Sequence, residues 1–336
     1  YYEINIAKSS INNPLFLLGY LSFELGKIRF YESLKDNGFE EEISINDDGA
    51  YLLSVCYGLG ILISNSMYYA DNRTTGRTTA NTAVGYESLM GSSTAANNTG
   101  QNNTAVGFQS LKSNTAGLDN SALGSLALSL NTTGNYNTGL GSYSLRNNTT
   151  GSGNTAVGNA SLDRNTTGAN NTSVGASNLS YNTTGANNSA FGYTSMNKNT
   201  TGYDNTSVGY NSLNANTTGY ENVAVGSLSL QSNTTGFYNT AIGNKSLTSN
   251  TTGQDNTALG LLALASNTTG NSNTGIGNGA LRSNTIGYQS IAIGQGALYS
   301  NTTANKNNAI GFESLNKKKP YKKKPYKKKF FKKPAA

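Results

Sequence analysis

Apolar positions in this chain return at a fixed interval from residue 81 onward. The residue before each glycine of the Ala-Val-Gly phrase is apolar: Val84, Val106, Leu123, Leu140, Val157, Val174, Phe191, Val208 and so on to Ile310. A second column runs through Leu89, Leu111, Leu128, Leu145, Leu162 and Leu179, then Met196 and Leu213, ending at Leu315. The glycines from Gly107 to Gly311 recur every 17 residues, and only Gly85 stands off, 22 residues before Gly107, which implies a five-residue insertion around residues 91–96. A period of this size marks a solenoid or array. Thr-Ala-Val-Gly alternates over too few residues for a helix, and the intervening Gly and Asn-Thr-Thr disfavour helix strongly. Short strands broken by glycine turns remain.

The expected fold is therefore all-β, a parallel β-solenoid (β-roll) in which each unit makes one coil of about two short strands and two turns. Coils stacked about 4.8 Å apart would pair every strand with its equivalents, and fourteen would make a rod roughly 65 Å long. Identical positions then form ladders. The pattern predicts that Val106, Val157 and Val208 point inward together with Leu111, Leu162 and Leu213. Gly107, Gly158 and Gly209 are expected in turns that need positive φ or close backbone approach. Asn and Thr columns are expected to hydrogen-bond along the stack. Two large aliphatic side chains per unit form a thin core against the entropy of ordering 17 residues, so sharing these columns among chains, as a homotrimer, is expected.

The flanks differ. Residues 1–80 are rich in Tyr, Phe, Leu and Ile, with an acidic break at Glu40-Glu41-Glu42 and a turn signal at Asn46-Asp47-Asp48-Gly49. This mixed region reads as short strands with one helix near residues 21–35. The uncharged run 49–66 reaches membrane-span length only by counting glycines and serines, and buried strands are the better reading. Residues 317–336 hold eleven lysines and no acid. Density of like charge together with Pro320 and Pro325 predicts a disordered tail. Lys317, Lys318, Lys319, Lys322, Lys323, Lys324, Lys327, Lys328 and Lys329, interleaved with Tyr321 and Tyr326, form a candidate tether to a polyanion, nonspecific in sequence.

Charge and composition narrow the chemistry. The net +7 of the 336-residue chain is a local property: without the tail, 13 basic residues face 17 acidic ones. The body is not a nucleic-acid surface by charge. With no His and Cys56 as the one Cys, His-based acid/base catalysis, His/Cys metal sites and an intrachain disulfide framework are excluded. Acids in the array, Glu87, Asp119, Asp163, Asp204, Glu221, Asp255 and Glu313, sit at variable repeat positions and read as solvated turn residues. The glycine turns lack the recurrent Asp of a calcium β-roll. No enzyme and no cofactor is expected. Asn-Thr-Thr occurs ten times, each a formal N-glycosylation acceptor, but glycans on successive coils would crowd, so ladder residues are expected.

Written as Gly-x-x-Asn-Thr-Ala-Val-Gly-x-x-Ser-Leu, the unit, as at residues 219–230, resembles the head repeats of YadA-like trimeric autotransporter adhesins. It is similar as well to the Asn-Thr-Ala-Val-Gly arrays of phage and giant-virus tail fibres. The resemblance covers residues 81–316 and implies a left-handed parallel β-roll, trimerised about a central axis and displayed on a cell or virion surface. The unit here is longer than the usual adhesin head repeat, so an enlarged outer turn is expected. The function it implies is a structural fibre or adhesin shaft that attaches to a host glycan or protein. The alternative is an ice-binding solenoid, whose regular Thr columns on a flat face would order water.

Overall fold

A computed structural model of the chain describes Leu21–Glu24, Lys27–Phe30, residues 80–92 and residues 98–316. Leu21–Glu24 (β1) and Lys27–Phe30 (β2) pair antiparallel, with Leu21 opposite Phe30 and Glu24 opposite Lys27. This hairpin replaces the helix expected near residues 21–35. The segment alternates apolar and polar residues with a period of two on both sides of Leu25-Gly26, which is a strand pattern with a two-residue connection. The remainder of region 1–80 before residue 80, including the run 49–66, and the tail 317–336 lie outside the described residues.

In the array, fourteen strands of three residues each, from Thr82–Val84 (β3) to Asn308–Ile310 (β16), form one parallel sheet in sequence order. Pairing is in register throughout. Thr206 of β10 (Thr206–Val208) lies opposite Ser189 and Val223, and Val208 lies opposite Phe191 and Val225. Parallel neighbours need a long crossover, and the remainder of each 17-residue unit supplies it. The array is thus an all-β parallel solenoid, and no helix occurs among the described residues.

Each coil contains one strand where two were expected. The stretch around the leucine column also bonds to the next coil, as in Leu213 N–H to the Ser229 carbonyl at 2.9 Å. Its backbone is nevertheless a series of tight turns: Leu213 has φ 48°, Asn211 has φ 51°, and the Asn216 amide donates back to the Leu213 carbonyl.

The larger correction concerns the core. Successive strand residues face opposite sides, and the middle one points inward: Ala105, Ala156, Ser207 and Ala224 are buried. Val106, Val157 and Val208 therefore lie on the outer face, with Val208 37% exposed. The interior has no room for them. Where Gly139 takes the inner strand position, an added Cβ would stand 3.4 Å from Leu128 Cδ1 and 3.0 Å from Ser144 Oγ. Leu111, Leu162 and Leu213 are fully buried, as expected.

The rest of the interior is polar. Two Asn columns run along the rod, one of them with Ser290 in place of Asn between Asn273 and Asn307. In one, Asn205 Nδ2 donates to Asn188 Oδ1 at 3.1 Å and to the Gly219 carbonyl at 2.9 Å, while its Oδ1 accepts from the Asn222 amide at 3.0 Å. In the other, Asn216 Nδ2 donates to Asn199 Oδ1 at 2.7 Å and to the Gly219 carbonyl at 2.9 Å, and its Oδ1 accepts from Asn233. Buried polar groups cost free energy unless satisfied, and here each amide is satisfied by its own kind one coil away. The second column contains the Asn of the Asn-Thr-Thr triplets, and from Asn131 to Asn267 each of these is fully buried.

Candidate functional site

Three longitudinal surfaces are built by the repeat. The first is the outer face of the sheet. The first and third residues of each strand face out, so Thr and Val columns run side by side, two residues apart along the strand. The apolar column carries Leu123 at 50% exposure and Leu259 at 44%. The Thr column is interrupted by Ser121, Ser189, Val223, Ile291 and Asn308.

The second surface is the corner formed by Asn-Thr-Thr. The first Thr hydroxyl is used within the stack, as Thr217 Oγ1 donates to the Thr234 carbonyl at 3.0 Å. The second, as in Thr218 and Thr235, is exposed.

The third surface is the corner just after the second glycine column. Tyr203, Tyr220 and Phe237 occupy equivalent positions and stack with centroids 4.9 and 4.8 Å apart and planes within 5°. Tyr238 stands at right angles across Tyr220 and Phe237, at 5.5 and 5.1 Å. Tyr238 shares its register column with Asp204, Glu221 and Asp255, all exposed. The field of these carboxylates is felt by the phenols: Glu221 first, then burial, raises Tyr238 above the ordinary tyrosine range, and burial first, with contributions from Tyr220, Glu221 and Asp204, raises Tyr203.

Two ion pairs stand elsewhere in the array. Lys112 meets Glu87 at 2.6 Å, a contact that, ahead of the Gln109 hydrogen bond, holds the Glu87 carboxyl below its usual range. Arg146 meets Asp163 at 2.9 Å and lies 5.0 Å over the Tyr143 ring. Asp163 is pushed up by burial, which outweighs the guanidinium. No group of three or more Asp, Glu, Cys or His comes together among the described residues.

Both glycine roles anticipated for Gly107, Gly158 and Gly209 hold. Gly209 has φ 137°, and a Cβ there would stand 2.7 Å from the Gly226 carbonyl. The lysines from Lys317 to Lys329 lie outside the described residues. The inward Ala column was not expected from the sequence, although uniformly small side chains mark the middle of every strand phrase. Nor was the aromatic corner, whose signal is three rings at a spacing of 17. No protein-family model matches the chain, and no curated protein is significantly similar to it.

Proposed function

We propose that the chain is the shaft of a surface fibre or adhesin, assembled as a homotrimer and displayed outside a cell or on a virion for attachment to a host glycan or protein. One observation carries this reading: an apolar column from Val84 to Ile310 lies on the outer sheet face of every coil. A lone rod leaves that column in water, and contiguous apolar stripes of this kind mark interaction surfaces. Covering it with the same column of neighbouring chains is an association of like surfaces that a repeat makes continuous. The number three comes from the likeness to YadA-like and tail-fibre repeats. Val208→Asp tests the interface, since a charge in a shared apolar seam is costly. It is expected to weaken assembly by at least about tenfold in Kd, whereas Tyr210→Asp, half exposed beside Tyr193, leaves it unchanged. Equal assembly of both variants would contradict the interface.

A second reading is favoured by the Thr column on that same in-register face. An ice-binding solenoid would use it as a monomer, with the face open to water. Thermal hysteresis in freezing solutions together with a monomeric mass would favour this reading over the fibre. In either case the lysine segment 317–336 is proposed as a polyanion tether, so that binding to heparin weakens steeply as salt rises.

A further inference from the structure

The corner carrying Asp204, Glu221 and Asp255 differs from the rest of the array. The ion pairs of Glu87 and Asp163 neutralise those acids, but no ion-pair partner is described for these three. Their register column contains no Lys or Arg until Lys306, three coils beyond Asp255. Beside the carboxylates stand four aromatic rings, of which Tyr203 and Tyr238 keep 40% and 46% of their surface exposed. A surface that joins unpaired carboxylates to ring edges and faces suits a cation carried on an extended segment, through Coulomb attraction and cation–π contact. An anionic or purely apolar partner would leave the carboxylates desolvated without compensation.

We propose that this corner is the docking surface for the chain's own lysine-rich segment, residues 317–336. The segment is complementary in charge, with eleven lysines and no acid, and its Tyr321, Tyr326, Phe330 and Phe331 supply rings to pack against the ladder. Its sequence departs from that of the repeat. In the 17-residue register Lys328 would fall in the glycine column that runs through Gly311, where φ lies between 118° and 140°, and Lys332 would fall in the buried leucine column. Reach is sufficient. Asp255 lies three coils from the last one, about 14 Å at ~4.8 Å per coil, and twenty residues beyond Asn316 can extend to ~66 Å. Tethering keeps the local concentration of lysines high, so weak individual contacts suffice. The docked segment would be withheld from external polyanions until one competes for it.

Zero-length carbodiimide coupling of the intact chain, followed by peptide mass spectrometry, reads the contact directly. Lysines of 317–336 should couple to Glu221 and Asp255 severalfold more than to Asp119, an exposed acid of the same register column without the stacked rings. The preference should vanish near 1 M salt, where the Debye length is ~3 Å. Equal yields at Asp119, or a preference that ignores salt, would overturn the proposal. Because the chain has no Trp, Tyr238→Trp places a sole indole at this exposed position. Its emission should shift with salt in the intact chain and not in one ending at Asn316. An identical salt response in both chains would overturn the proposal too.

Discussion

Leucine is an unusual residue to find with positive φ. Leu213 has φ 48°, and every member of its column, Met196 included, lies between 48° and 53°. The left-handed region costs an L-residue about 1–2 kcal/mol, and a β-branched residue is a genuine outlier there. This explains a contrast that periodicity alone leaves unexplained. The outer column accepts Val, Ile, Leu and Phe, because it lies on a strand, while the buried column holds only Leu and one Met, both unbranched at Cβ. Leu213→Ile conserves volume but is expected to lower stability by about 1–3 kcal/mol, whereas Val208→Ile should be near neutral. Thermal unfolding of the two variants distinguishes them, and equal midpoints would contradict a conformational origin for the leucine column. The close approach at the second glycine column is equally local. A Cβ at Gly219 would collide with Asn216 Oδ1 and the Gly236 carbonyl. The column tolerates Ala304 in the last coil, where no described coil follows and the side chain is exposed.

At the scale of one coil, the interior is a single large aliphatic side chain, a small strand residue, two Asn and a glycine. The repeat, its period, the parallel stacking and the inward leucines were all legible in the sequence, because identity at every seventeenth position leaves no other way to pair like with like. Which apolar column faced in was not legible. Hydrophobicity ranked Val above Ala, but the burial of Asn205 beside the strand sets the phase, and a period of two then sends Ser207 inward and Val208 outward. The aromatic corner escaped for a related reason: its column is polar or small in most coils, so no periodic average reveals it. The column between strand and leucine is Ser in most coils and Ala in four (Ala127, Ala263, Ala280 and Ala297), and one coil places Asn there. Asn178 is fully buried, its Nδ2 donates to the Val174 and Ala190 carbonyls, and its Oδ1 has no partner. An unsatisfied buried acceptor costs about 1–3 kcal/mol. Asn178→Ser, which restores the residue of most other coils, should raise the unfolding midpoint, while Asn216→Ser in the saturated ladder should lower it. A fall in both would mean that Asn178 is paired in solution.

Over the whole molecule, translational symmetry turns single-residue preferences into continuous surfaces. One Val per coil becomes an apolar seam along fourteen strands, one Asn per coil becomes an amide ladder, and a neutral array carries a cationic segment at one end. The last coil shows the seam and interior where no further described coil covers them: Ile310 is 74% exposed, Phe312 70% and Leu315 63%. Stability in such a stack is a sum of coil terms and neighbour terms, so an interface shared between rods would act on every coil at once. That the outer seam is such an interface is the claim on which the fibre reading depends. Sedimentation equilibrium of the intact chain at micromolar concentration tests it most directly. A particle of three chains, each of 35.2 kDa, is expected; a single 35.2 kDa species at every concentration would contradict the shared seam and leave the Thr and Val columns facing water.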